Sequence, residues 1–169
     1  MNYILILILS FIIHAQEWNY SADILEKKQE NGKDVRIFKS TSLGNKQVII
    51  YKDTISIYTN QAKQYVDNKE LHLLGSVTMI NGKDSLTCQN MIFWYDIDSL
   101  HAFGNVIFKF KNNYVQTDSL IYLKTNGFRG YSFTAKNNSK FFDPKYVIDA
   151  ELMSYNDYSQ NMILNNQVV

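Results

Sequence analysis

Leu71-His72-Leu73-Leu74-Gly75-Ser76-Val77 is answered further along by Leu100-His101-Ala102-Phe103-Gly104-Asn105-Val106. Leu86-Thr87-Cys88-Gln89-Asn90-Met91-Ile92-Phe93 is answered by Val115-Gln116-Thr117-Asp118-Ser119-Leu120-Ile121-Tyr122. Gly75 and Gly104, Val77 and Val106, Leu86 and Val115, and Met91 and Leu120 each lie 29 residues apart. A fixed period of this size is the mark of a repeat architecture. Each unit runs as an apolar alternation to a Gly, a second alternation, a polar turn, and a run that ends in aromatics.

The turns between the runs carry the chemistry of hairpins. Asn81-Gly82, flanked by alternating apolar residues, is the strongest short hairpin signal in the chain. The spacing predicts strands over residues 71–80, 85–95, 100–110 and 114–123, with turns at 96–99 and at Asn112-Asn113. Residues 35–38, 48–51 and 54–58 read as earlier strands, and Thr59-Asn60-Gln61-Ala62 aligns with Cys88-Gln89-Asn90-Met91 as a degenerate repeat. Residues 17–31 read as an N-terminal arm with one short strand over 18–24. Beyond Gly127 the spacing loosens across a polar run at 136–140, before residues 146–152 resume the pattern of 114–120. No window carries a 3.6-residue apolar period, so little or no helix is expected after the leader.

Composition agrees with strands. The chain has 169 residues, 46% hydrophobic and 20% charged, which fits one domain with a sizeable core rather than disorder. Tyr and Phe supply 22 of the 24 aromatic residues, and aromatic and β-branched side chains favour a pleated surface. With seven Gly and a single Pro, most turns fall to Asn, Asp and Lys. A net charge of +1 gives no electrostatic footprint for nucleic acid.

Residues 3–13 form an apolar run broken only by Ser10 and followed by His14-Ala15-Gln16-Glu17. The run falls short of the roughly 20 residues that span a bilayer. It is expected to be a secretory signal peptide over residues 1–16, with the mature domain over 17–169. Cys88 is the only cysteine, so no intramolecular disulfide is possible. Its counterpart one period on is Thr117, which favours a small, half-buried strand residue over a reactive thiol.

Alternation places Leu100, Ala102, Val106, Phe108 and Phe110 on one strand face, with His101, Phe103, Asn105, Ile107, Lys109 and Lys111 on the other. Two such sheets facing one another bury the inward sets, and short turns let the chain step along as a flattened solenoid. His72 and His101 sit one repeat apart on the polar side, with no acidic or histidine cluster beside them, so no metal is expected. Asp53, Asp84, Asp96 and Asp98 fall at turns, where turn chemistry accounts for them. No phosphate loop, nucleophile motif or metal spacing is present, so neither catalysis nor a cofactor is expected.

The phrase Leu-x-x-x-Gly-Asn/Ser-Val, a turn, then a strand with Thr/Cys-Asp/Gln-Ser/Asn-Leu/Met-x-Phe/Tyr resembles the OstA-like repeat of lipopolysaccharide-transport proteins. Residues 71–95 and 100–123 carry it most clearly, 35–65 and 146–169 more weakly, and Ser21-Ala22-Asp23-Ile24-Leu25 resembles the opening of such domains. The second unit departs from the pattern with Gly75-Ser76 in place of Gly-Asn. The resemblance implies an all-β fold, a folded-over β jelly roll (a "β-taco") with an apolar groove that binds acyl chains of lipopolysaccharide or its lipid A part in the periplasm. It also implies head-to-tail stacking with copies of itself and with sibling transport proteins between the two membranes. It implies no catalytic residues. On the alternation above, the groove would be lined by Val77, Met79, Leu86, Val106, Phe108, Phe110 and Val115. A secreted β-repeat structural or adhesin-type module without a lipid ligand is the alternative from a different class.

Overall fold

The computed structural model describes residues 17–41, 47–124 and 130–167, with side chains described through residue 165. The expected leader over 1–16, most of the loop at 41–46 and Asn126-Gly127 lie outside the described residues. Among the described residues every regular element is a strand: β1 (Asn19–Ser21), β2 (Ile24–Glu30), β3 (Lys33–Lys39), β4 (Val48–Lys52), β5 (Ile55–Thr59), β6 (Gln61–Tyr65), β7 (Glu70–Asn81), β8 (Asp84–Trp94), β9 (Ser99–Phe110), β10 (Asn113–Lys124), β11 (Tyr131–Phe142), β12 (Val147–Asn156) and β13 (Asn161–Gln167). They form one open antiparallel sheet in the order β1-β4-β5-β7-β8-β9-β10-β11-β12-β13. A branch of β2, β3 and β6 joins at β7.

The branch shows how the sheet is built. β6 pairs with the first half of β7 at residues 70–74, and β5 pairs with its second half at 78–81. The break falls at Gly75-Ser76, and the same break recurs down the sheet. Register shifts lie between Leu74 and Val77 on β7, between Thr87 and Asn90 on β8, between Thr117 and Ser119 on β10, and between Lys136 and Ser139 on β11. Each odd-numbered long strand carries one residue more than its neighbours at this level, which is a β-bulge, and bulges bend strands. The bulge residues lie in the left-handed region: Gly75 and Ser76 (φ 77° and 51°), Gly104 and Asn105 (80° and 51°), and Asn137 and Asn138 (65° and 50°). Gly adopts that conformation freely, and Asn is the side chain that tolerates it best.

A row of aligned bulges is a crease. On one side lies a wall made of the strand halves 70–74, 90–94, 99–103, 119–124, 131–136 and 152–156; on the other lies a wall of 77–81, 84–88, 106–110, 113–117, 139–142 and 147–150. We call these the first and second walls. Leu100 and Phe108 belong to one strand, β9, and a straight strand would hold them about 26 Å apart. Both nevertheless line a single cleft, so the sheet is folded over on itself.

The crease also explains a change of phase. In β7 and β9 the buried apolar positions keep one parity throughout (Leu71, Leu73, Val77; Leu100, Ala102, Val106, Phe108, Phe110). In β8 they pass from Leu86 and Cys88 to Met91 and Phe93, and in β10 from Val115 and Thr117 to Leu120. The same switch runs from Thr59 to Ala62 and from Ala150 to Met153. The alternation expected for residues 100–110 is therefore what β9 shows, while every second strand changes parity at the crease.

Three local expectations are corrected. The turn after β9 is at Lys111-Asn112, with Lys111 at φ 54°, so Asn113 already belongs to β10 and Lys111 is a turn residue. The N-terminal arm holds two strands, β1 and β2, because β2 finds a full seven-residue partner in β3 despite its charged sequence. The polar run at 136–140 lies inside β11, its two Asn supplying the bulge that Gly supplies elsewhere.

Candidate functional site

The folded sheet offers the space between its walls. Both inner faces are apolar, and the buried side chains of the two walls form a single core cluster. Phe108 and Phe110 of the second wall interdigitate with aromatics of the first: Phe108 meets Phe133 at 5.5 Å and Tyr122 at 6.2 Å between ring centroids, and Phe110 meets Phe133 at 5.3 Å and Tyr155 at 5.5 Å. Three of these pairs are edge-on, a geometry that adds to the area they bury.

At the mouth, opposite the crease, the walls part over a cleft of about 100 Å³. Ile55, Met79, Leu86 and Phe108 come from the second wall, and Phe93, Leu100 and Tyr122 from the first. Its rim is polar, with Asn81, Asp84, Ser85, Asp98 and Lys124. Lys124 pairs with Asp98 on the same wall. Burial holds the Tyr122 hydroxyl neutral, pushing its pKa up to about 12.

The mouth is filled on both flanks of the cleft. Towards the N-terminus, Trp18 meets Phe93 edge-on at 5.3 Å and Tyr20 stacks on Phe38 at 4.6 Å, although β1 itself pairs with β4 of the second wall. Towards β13, Tyr131 stacks on Tyr122 at 5.3 Å, and Lys111 reaches across the mouth to Asp157 at 2.8 Å.

All seven residues expected to line a groove lie on the second wall. Val77, Leu86, Val106, Phe108, Phe110 and Val115 are buried, and Met79 is partly buried against them. Met79, Leu86 and Phe108 reach the cleft; Val77, Val106, Phe110 and Val115 pack deeper, outside its lining. On the facing wall the expected inward set held Leu100, which lines the cleft, and Ala102, but not Phe93 or Tyr122, which the parity switches at Gln89-Asn90 and Asp118-Ser119 turn inward.

The crease is held by side chains one period apart. Thr59 Oγ1 donates to the carbonyls of Leu74 (3.0 Å) and Gln61 (3.2 Å), and Cys88 Sγ to that of Asn90 (3.1 Å). Thr117 Oγ1 lies 2.8 Å from the Lys136 carbonyl and 2.9 Å from Ser139 Oγ. Burial pushes the Cys88 thiol up to about 12, far from the thiolate that reactivity needs. His72 meets Glu70 at 3.2 Å and His101 meets Ser119 at 2.9 Å, both on the outer face. Among the described residues no three His, Cys, Asp or Glu side chains gather as a metal site, and no helix is long and apolar enough to cross a membrane.

No family model matches the chain, and no curated protein matches it.

Proposed function

We propose that this chain is a non-enzymatic periplasmic lipid carrier of the bridge type, which takes acyl chains of lipopolysaccharide between its two walls on their way to the outer membrane. The cleft carries the reading. Its floor is apolar on both walls, its rim is polar, and it lies where two walls hinged at one crease can separate without breaking a strand pair. Amphiphiles have the same division, an apolar body and a polar head. The sheet is open, and both of its ends expose apolar side chains: Ile24 and Leu25 on β2, Val147 on β12 and Ile163 on β13. Open edges with unpaired backbone groups accept strands from other chains, which supports head-to-tail association with copies of this chain or with siblings of the same fold.

A lipid-free structural or adhesin-type module is the second reading, favoured by the aromatic interdigitation that fills most of the interior. Native mass spectrometry of protein purified from the exported fraction separates the two. Lipid adducts that exchange with added lipopolysaccharide are expected of the carrier. Lipid-free protein that takes up no lipopolysaccharide would overturn it in favour of the module.

A further inference from the structure

The cleft stops at a barrier made of two layers. The inner layer is aromatic: Tyr122, which lines the cleft, stacks on Tyr131, and Tyr131 in turn lies 6.1 Å from Tyr155 and 6.4 Å from Phe110. The outer layer is polar. Lys111 Nζ, at the turn that ends the second wall, donates to Asp157 Oδ1 at 2.8 Å and Gln160 Oε1 at 3.3 Å, at the turn that ends the first. Tyr155 joins the same network, its hydroxyl 3.3 Å from Asp157 and 3.5 Å from Lys111 Nζ. Half of the Lys111 side chain is exposed while Asp157 is mostly covered, so water and anions reach the pair from the lysine side, where ion pairs hold only weakly.

Beneath it is a group the closed arrangement leaves unserved. The Tyr131 hydroxyl is buried and has no hydrogen-bond partner among the described residues. A buried hydroxyl left unpaired is a cost that native structures carry for a reason. Burial above all, and then the negative charge of Asp157 and Asp84, raises its pKa, so it keeps its proton to donate.

We infer that the Lys111–Asp157 pair is a latch on the lipid site, and that its release extends the cleft past Tyr122 to Tyr131, whose hydroxyl then donates to the carbonyl of an ester- or amide-linked acyl chain. This rests on the lipid-carrier reading and deepens it, naming the group that would hold the acyl carbonyl and the ion pair that controls access to it. The aromatic barrier supplies the apolar continuation, the latch spans the walls that must part, and the unpaired donor sits at the junction of the two.

The test uses two probes below their micelle concentrations, a dodecanoyl sugar ester and the dodecyl ether of the same sugar, titrated calorimetrically into the whole domain. Wild type is expected to prefer the ester, and Tyr131→Phe to weaken the ester about tenfold while leaving the ether unchanged. Lys111→Met is expected to tighten binding of both probes, because the closed state loses its latch. Lys111→Cys with Asp157→Cys is expected to bind before treatment and to lose binding once bridged by a short bifunctional maleimide. If wild type binds neither probe, the carrier reading fails with the latch. If wild type binds but the bridged form binds equally well, or Tyr131→Phe weakens both probes alike, the latch is wrong and the carrier reading stands.

Discussion

A Cβ built on Gly104 would lie 2.5 Å from Oε1 and 2.9 Å from Cβ of Gln89, its neighbour at the crease on the adjacent strand β8. Gly75 stands in the same relation to Asn60, at 2.9 Å from its side-chain amide nitrogen. These two glycines answer to two demands at once, a left-handed backbone and close approach of a neighbouring side chain. Gly32, at φ +77°, answers only to the first, since nothing lies within 4 Å of an added Cβ there. Gly32→Ala is therefore expected to cost about 1 kcal/mol of left-handed strain, and Gly104→Ala about 2–4 kcal/mol once Gln89 is displaced. Urea unfolding of the two variants checks this. Equal losses would mean that the approach at the crease contributes nothing.

Thr117→Val keeps the shape of the side chain and removes its donor. The carbonyls of Lys136 and Ser119 and the hydroxyl of Ser139 would then lose a partner in a buried position. A loss of about 1–3 kcal/mol is expected. Cys88→Thr should be tolerated, within about 1 kcal/mol of wild type, because Thr holds the equivalent station at residues 59 and 117. Denaturant midpoints for both variants decide the matter. A severe loss in Cys88→Thr would show that the stations are not interchangeable.

The crease is also where the sequence was most and least legible. The period of 29, the Gly of each unit and the pairing of Cys88 with Thr117 were visible as letters, because repetition does not depend on knowing the fold. The strands followed, since alternation of period two is a local property. The parity change at Gln89-Asn90 and Asp118-Ser119 was not visible, because a residue is inside or outside only relative to a partner strand with one residue more. That is why Phe93 and Tyr122 escaped, while Leu100, on a strand that keeps its parity, stands on the inward face as expected. Asn137-Asn138 escaped for a related reason. Without Gly, a bulge reads as a polar loop, and only the neighbouring strands on both sides reveal it as sheet.

Glu30 gives the fold an acid limb. Its carboxylate accepts from Lys28 Nζ at 2.7 Å, Lys63 Nζ at 3.1 Å and the Tyr65 hydroxyl at 2.9 Å, and these hydrogen bonds, Lys28 first, hold its pKa down at about 2, from an ordinary 4.5. A carboxyl whose folded pKa is lowered adds stability above its unfolded value, and loses it as pH falls towards the folded one. The contribution should thus be present above pH 4.5 and fade between 4.5 and 2. It is modest, because Glu30 and its lysines lie at the surface within reach of salt. Glu30→Gln is expected to be less stable at neutral pH and to lose less than wild type across that window. Stability measured against pH for both proteins is the check, and parallel curves would remove Glu30 from the acid limb.

Leu25 on β2 and Ile163 on β13 lie at opposite ends of the sheet, 54% and 62% exposed. A strand at an edge presents unpaired N–H and C=O groups, and apolar side chains beside them make pairing with another chain favourable. The two ends differ in sequence, so contact between them is heterologous and extends rather than closes. Concentration-dependent association is expected in solution, growing by addition of whole copies. A lysine on an edge strand opposes such pairing, because joining the strand would strip water from its charge. Leu25→Lys and Ile163→Lys should each suppress association, and mixing the two variants should restore only short oligomers, since each keeps one good end. Ile97→Lys is the control: Ile97 is 48% exposed but sits in a turn at the mouth, away from either end. Light scattering across micromolar to millimolar protein measures all four forms. Association lost in the end variants and kept in the control assigns it to the sheet edges. A strictly monomeric wild type would remove the head-to-tail contact from the bridge reading, and equal suppression by Ile97→Lys would assign the association to charge alone.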